Sequence, residues 1–153
     1  MPLYLVDSSI WVAARRKQAD YLSALLAERI AADEVATCVL VALEVLTGPR
    51  NAAELERDWA AVWQYLRWLP VSEAVTARAL ELLRALAHTT EGAHRRRPID
   101  YVVAACVEAA GDNVVLWHWD RDLTLICDFA GIAHEAEHDR ARRRHAGAEP
   151  GRA

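Results

Sequence analysis

Four acidic residues stand where an acid is costly. Asp7 closes the apolar run Leu3–Val6, and Glu44 interrupts Val39-Leu-Val-Ala-Leu-Glu-Val-Leu46. Asp100 opens onto the apolar stretch Tyr101–Val107, and Asp120 abuts the run Asn113–Trp119. A carboxylate set in an apolar segment loses its hydration, and unless it is neutralised or paired it costs stability. For Asp100 the first turn of a helix offsets part of that cost, because the free N–H groups and the helix dipole favour an anion there. Glu44 has no such excuse. One arrangement accounts for all four: they converge and share a divalent cation, whose charge removes their mutual repulsion. Carboxylate oxygens without His or Cys suit Mg2+ or Mn2+ rather than Zn2+, and none of the six histidines falls in an HExxH or comparable spacing. A carboxylate-held Mg2+ with open positions is equipped for phosphoryl chemistry, where it orients an attacking water and stabilises charge on the phosphate. Three of the acids also have an ordinary reading: Asp7 as a helix cap, Asp120 as a turn residue, Glu44 as an arginine partner. Those readings are cheap singly and need a coincidence when taken together.

The elements that would position these acids are readable from local pattern. Leu3–Val6 reads as a buried strand, followed by Asp7-Ser8-Ser9 in cap positions and helical stretches over Ile10–Arg15 and Asp20–Ala32. Val35–Cys38 reads as a second strand leading into a helix over Val39–Thr47, which Gly48-Pro49 stops. The apolar spacing of Leu55, Trp59, Val62, Trp63 and Leu66 predicts an amphipathic helix over Asn51–Leu66. Trp68–Val71 is a candidate short strand, and Ser72 caps a helix to Ala87. The polar stretch 88–97 is a loop, after which Pro98 sits in the tolerated first turn of a helix to Ala110. Asn113–Trp119 predicts a strand, Asp120–Ala130 a loop and helix, and Ile132–His134 a last short strand. Short apolar strands alternating with helices predict an α/β fold, helices on both faces of a mostly parallel sheet. Ligands of such sheets bind beyond the carboxyl ends of the strands, where Asp7 and Asp120 fall.

Composition bounds the rest. A chain of 153 residues, 54% hydrophobic and 26% charged, has the size and make-up of one globular domain that needs no staple to fold. Its longest apolar run, Tyr101–Val107, is far short of a membrane span, and the first residues lack the basic and apolar regions of a signal peptide. Three scattered cysteines, Cys38, Cys106 and Cys127, read as reduced core residues, which fits a cytoplasmic setting. From Asp139 onward five arginines face Asp139 and Glu149, a surplus of three positive charges, so the net −4 leaves −7 on residues 1–138. We therefore expect a domain over residues 1–138 and a solvated, flexible tail over 139–153. An acidic body is a poor general binder of phosphates and needs bound cations or a local basic patch.

At the four acids the chain resembles the PIN-domain family, specifically VapC-type toxins of type II toxin–antitoxin systems. The segments that carry the resemblance are LVDSSIWV (Leu5–Val12), VALEVLTG (Val41–Gly48), HRRRPIDYVVAACVEAAG (His94–Gly111) and WHWDRDLTLIC (Trp117–Cys127), in the family's order and covering most of residues 3–135. The resemblance implies a three-layer α/β/α sandwich, Mg2+-dependent endoribonuclease activity leaving 5′-phosphate and 3′-hydroxyl ends, homodimers, and inhibition by a cognate VapB-type antitoxin. It implies Asp7, Glu44 and Asp100 as the first three catalytic and metal-holding acids. The fourth is Asp120 or Asp122, with Asp120 preferred as the nearer to the strand end. It implies Ser9 as a supporting hydroxyl. The family often has Phe where Leu123 stands and Thr where Ser8 stands; neither change removes an acid.

Further residues carry expectations of their own. The cluster His94-Arg95-Arg96-Arg97 just ahead of Asp100 suggests that Arg95 and Arg96 grip RNA phosphates. Trp59 and Trp63, one helical turn apart, would share a face that packs the core or receives an antitoxin helix. His118 is expected to be structural. The alternative function is a non-catalytic PIN-like module that binds RNA or antitoxin without cleaving. Other Asp-based α/β folds fit poorly: a receiver domain wants a lysine in a late loop where the chain has only Lys17, and a dehalogenase-like phosphatase wants an acid where Ser9 stands.

Overall fold

A computed structural model describes residues 1–16, 19–138 and 140. Apolar runs long enough only for short strands make β1 (Leu3–Val6), β2 (Val35–Thr37), β3 (Arg67–Trp68), β4 (Val114–His118) and β5 (His134–Ala136). The helices are α1 (Ser8–Arg15), α2 (Asp20–Ala31), α3 (Val39–Leu46), α4 (Ala52–Ala61), α5 (Glu73–Ala87), α6 (Pro98–Ala110) and α7 (Arg121–Ala130). The strands form one parallel sheet in the order β3-β2-β1-β4-β5. Seven helices among the described residues flank that sheet, as the α/β reading requires. No helix among the described residues is long and apolar enough to cross a membrane. Of the expected tail, all but Arg140 lies outside the described residues.

The strand order puts the switch point between β1 and β4. The chain runs from β1 outward through β2 to β3 and then returns to add β4 and β5 on the other side. At such a point the connections diverge above and below the sheet, opening a crevice at the carboxyl ends of the two strands. The register Leu3↔Val114 through Val6↔Trp117 aligns β1 and β4, and the Asp7 amide extends the ladder by donating to the Trp117 carbonyl at 2.9 Å. Asp7 and Asp120 therefore leave the sheet side by side. A helix that precedes a parallel strand starts at the same edge of the sheet, which brings the first turn of α6, with Asp100, to the crevice.

Caps set the helix starts. Asp7, Asn51, Ser72 and Asp120 each accept a backbone N–H of the first turn of α1, α4, α5 and α7 through their side chains. Gly111 and Gly131, at φ 96° and 69°, end α6 and α7 in conformations that other residues avoid. The core contains Leu5, Val6, Ile10, Leu22, Leu82, Leu116, Trp117, Leu123 and Ile126, each at most 2% exposed. All three cysteines are free and buried in it.

Beside the sheet a charged clamp fixes the last strand. The Arg29 guanidinium lies 3.5 Å from the Tyr4 ring centroid and 4.3 Å from that of Trp117, and donates to Glu135 at 2.9 Å. Glu137, fully buried, accepts from Tyr21 Oη and Trp117 Nε1, each at 2.7 Å, and from Arg140. A buried carboxylate with this many donors is satisfied, and it holds Trp117 three residues before Asp120.

Three elements differ from the sequence pattern. The strand expected over Trp68–Val71 pairs only over Arg67–Trp68 before Pro70, with no amide to donate, ends it. The helix predicted over Asn51–Leu66 ends at Ala61, and a 3-10 turn over Trp63–Tyr65 follows. The break turns Trp63 inward against Trp11, centroids 4.8 Å apart, while Trp59 meets Trp68 at 5.9 Å. The two tryptophans thus serve different neighbours rather than one face. The last strand begins at His134 rather than Ile132, because Ile132 uses its amide to close the end of α7 on the Cys127 carbonyl. Trp63 is 2% exposed, so Trp63→Ala should cost about 3–5 kcal/mol in urea unfolding. Trp59→Ala, at a half-buried site, should cost less than half as much; equal losses would contradict the broken helix.

Candidate active site

Asp7 and Asp100 are 1% and 0% exposed at the crevice. Asp7 is locked by its own turn: Oδ2 accepts the Ser9 amide at 2.9 Å and the Ser9 hydroxyl at 2.6 Å. The same Ser9 Oγ accepts the Trp119 amide at 2.9 Å, stitching the ends of β1 and β4 together. With Oδ2 held in this way, Asp7 Oδ1 is buried without a partner. Burial pushes the Asp7 carboxyl above its ordinary range; Ser9 and the Arg97 charge pull it down, and Glu44 pushes it up.

Asp100 sits in the first turn of α6 and is gripped by Arg97, whose Nη2 donates to Oδ1 at 2.7 Å and whose Nε donates to Oδ2 at 3.3 Å. Burial outweighs that grip and, with the charges of Asp120 and Asp7, raises the Asp100 carboxyl to about 6. Glu44 comes in from α3: its Oε1 accepts from Arg97 Nη1 at 3.4 Å, and its Oε2 is buried without a partner. Asp7, Glu44 and Asp100 thus meet electrostatically around one guanidinium, and the charge of Asp120 reaches Asp100. The apolar surroundings of Glu44 also have a different origin from total burial. Val41, Ala42 and Val45 face the core, whereas Val39 and Leu43 are 45% and 59% exposed.

Asp120 caps α7 by accepting the Asp122 amide at 2.7 Å, and its side chain lines a cavity of about 460 Å3 together with Ser8, Ser9, Val12, Arg16, Arg97 and Trp119. Asp122 is not part of that lining and instead pairs with Arg96 at 3.1 Å. Arg95 is exposed and also lines no part of the cavity. The basic residues that reach it are Arg97, the one arginine of the expected basic cluster not chosen for RNA contact, and Arg16, which the sequence did not single out. Arg97 carried a usable signal, since a cation three residues before an acid at a helix start can fold onto it.

His118, fully buried, is structural in geometry. The Asp120 amide donates to its Nδ1 at 3.2 Å, so its proton resides on Nε2, which faces His134 Nδ1 at 3.0 Å. His134 Nε2 in turn meets Asp128 at 2.9 Å. Burial, aided by His134 and His138, lowers His118 to about 4, so it stays neutral near pH 7 and fixes the backbone that presents Asp120.

The donors fit a hard divalent cation: carboxylate oxygens, a hydroxyl, and two buried carboxylate oxygens with no protein partner. They do not form a finished cage. Among the described residues no group of three or more His, Cys, Asp or Glu is arranged to hold a metal ion as it stands; Arg97 stands between the acids.

The family model described as PIN domain matches residues 4–128. The chain belongs to the PIN-domain family. The PIN fold recurs at low identity in a chain of the DNA-bound VapBC from Salmonella typhimurium, with a TM-score of 0.65 and 15% identity over 89% of this chain and 98% of that one. A chain of VapBC2 from Rickettsia felis, bound to a DNA fragment from their promoter, gives 0.60 and 19% over 88% and 98%. A chain of FitAcB from Neisseria gonorrhoeae gives 0.58 and 14% over 86% and 96%. No curated protein sequence matches this PIN domain significantly.

A raised carboxyl is a stability cost with a defined pH window. Asp100 binds its proton more tightly folded, near pH 6, than unfolded, near pH 4. Its penalty is therefore absent below the lower value, grows between the two and is complete above the higher. Without divalent ions, Asp100→Asn should exceed the native protein in stability by up to about 3 kcal/mol at pH 8, and the gain should vanish toward pH 4. Urea unfolding in EDTA at both pH values checks this; a variant less stable at pH 8 than at pH 4, relative to native, contradicts it.

Proposed function

We propose that this PIN domain is a divalent-metal-dependent endoribonuclease and the toxin of a toxin–antitoxin pair. PIN domains are typically nucleases, and their nucleases use divalent metals. The observation that carries the reading is the convergence of Asp7, Glu44, Asp100 and Asp120 at the switch point of the sheet, with two carboxylate oxygens left unsatisfied there.

In this reading Asp7, Glu44, Asp100 and Asp120 hold Mg2+ or Mn2+, with Asp122 outside the first choice. The bound ion would supply polarisation of the phosphate and a more acidic water. The chain's own residues do the positioning. Ser9 fixes the Asp7 rotamer so that Oδ1 faces the cluster. Arg16 and Arg97 bring positive charge to a cavity that the acids alone would close to a polyanion. Trp119, at its wall, offers an apolar surface to an unstacked base. Arg95 and Arg96 are left to a more peripheral contact with the RNA backbone.

The antitoxin half of the proposal rests on a second cavity. Val39, Ala42, Leu43 and Leu46 of α3 form one wall of a groove of about 580 Å3, facing Leu55 and Trp59 of α4 and Trp68. Trp68 is 42% exposed, as are Val39 and Leu43 to similar degrees. An exposed apolar groove between helices is the shape that receives an amphipathic partner helix. Because α3 carries both this wall and Glu44, an inhibitor seated in the groove would abut the acids.

Asp7→Asn and Asp120→Asn should each lower Mg2+-dependent cleavage of single-stranded RNA at least 100-fold while leaving the circular dichroism spectrum unchanged. EDTA should abolish native cleavage. Cleavage that survives EDTA, or both substitutions, would refute the nuclease reading, and a purified native protein that binds RNA without cutting it would favour the non-catalytic alternative.

A further inference from the structure

The carboxylate cluster already contains a cation, and it is a side chain. One guanidinium spans two elements, donating twice to Asp100 of α6 and once to Glu44 of α3. It does not satisfy the cluster. Asp7 Oδ1 and Glu44 Oε2 are buried and unpartnered. A planar fork can engage one carboxylate edge-on and graze a second, but it cannot turn donors toward every oxygen around it. A small spherical ion can be approached from all sides.

The two sides of this ion pair also differ in freedom. Asp100 is fully buried and fixed in a helix, whereas the Arg97 side chain is 46% exposed at the helix cap. Arg97 can therefore swing toward solvent with little loss of packing, and Asp100 cannot follow. By contrast Arg29, which pairs with Glu135, is 7% exposed and stacked against two rings. Arg29 is built in. Arg97 is only parked.

We propose that Arg97 is a displaceable counter-cation: it fills the carboxylate cluster in the cation-free protein and must leave before a divalent ion enters, so that it sets the apparent affinity for that ion. The proposal rests on the metal-holding reading of the cluster given above. Only the fraction of molecules with Arg97 turned out is competent to bind, and the apparent affinity is reduced by that fraction.

Isothermal titration calorimetry with MnCl2 alone, on the native protein and Arg97→Ala, tests this without any turnover. Arg97→Ala should bind Mn2+ on the order of tenfold more tightly, and saturating Mn2+ should raise its melting temperature by more than it raises that of the native protein. Should the alanine variant fail to fold, Arg97→Gln, which keeps most of the side chain without its charge, gives the same comparison. Native and variant proteins of equal affinity, or a variant that binds more weakly, would overturn the proposal and leave the metal reading standing. Absence of Mn2+ binding in both would overturn the metal reading and the proposal with it.

Discussion

Carboxylates held close together in a low-dielectric crevice repel one another, and the construction around β1 and β4 exists in the face of that repulsion. Asp7 and Asp100 are almost wholly removed from water, and both titrate above the ordinary carboxylate range. Such groups persist only where the surrounding structure prevents them from turning outward. Here the restraints are the Ser9 hydroxyl and amide, the helix start at α6 and the Arg97 guanidinium. A fold optimised for stability alone would have placed apolar residues at these positions. The strain is local, and the clamp of Arg29, Glu135 and Glu137 beside the sheet holds the neighbouring strands while the crevice bears it.

The topology explains why four acids so distant in sequence can meet. Parallel strands send every β-to-α connection, and the start of every α-to-β return helix, to the same edge of the sheet. Reversal of strand order between β1 and β4 leaves that edge open at one place. Asp7 and Asp120 follow the two central strands directly, Asp100 begins a returning helix, and Glu44 is carried in by the helix after β2. The same helix presents Leu43 and Leu46 to an apolar groove on its other side, so the acid cluster and the proposed partner surface share one rigid element.

Much of this was legible in the chain because it depended on local chemistry. Strand β1 followed by an acid and a serine pair, Ser72 as a cap, Pro98 in a first turn and Gly111 as a stop are all read by rules that act within a few residues. What was hidden depended on tertiary choices. The amphipathic pattern over Asn51–Leu66 looked continuous because Leu55, Trp59, Val62, Trp63 and Leu66 are correctly spaced. Only the packing of Trp63 on Trp11 reveals that the helix breaks first. Likewise HRRR reads as one basic cluster, yet its three arginines part company. Arg96 turns to Asp122, Arg97 folds back onto Asp100 and Glu44, and Arg95 stays exposed. Composition identifies a charge run; only backbone direction at a helix start tells which member of it faces the acids. The apolar flanks of Glu44 misled in a related way, since half of that apolar surface faces outward rather than the core.

The most direct examination of the central claim, that the four acids form one cation site, is a crystal structure of the protein soaked in MnCl2, with anomalous scattering to locate the ion. A manganese peak among Asp7, Glu44, Asp100 and Asp120, with Arg97 turned away from them, is the expected result. Manganese found only elsewhere on the molecule, with the Arg97–Asp100 pair intact at saturating ion, would contradict the account.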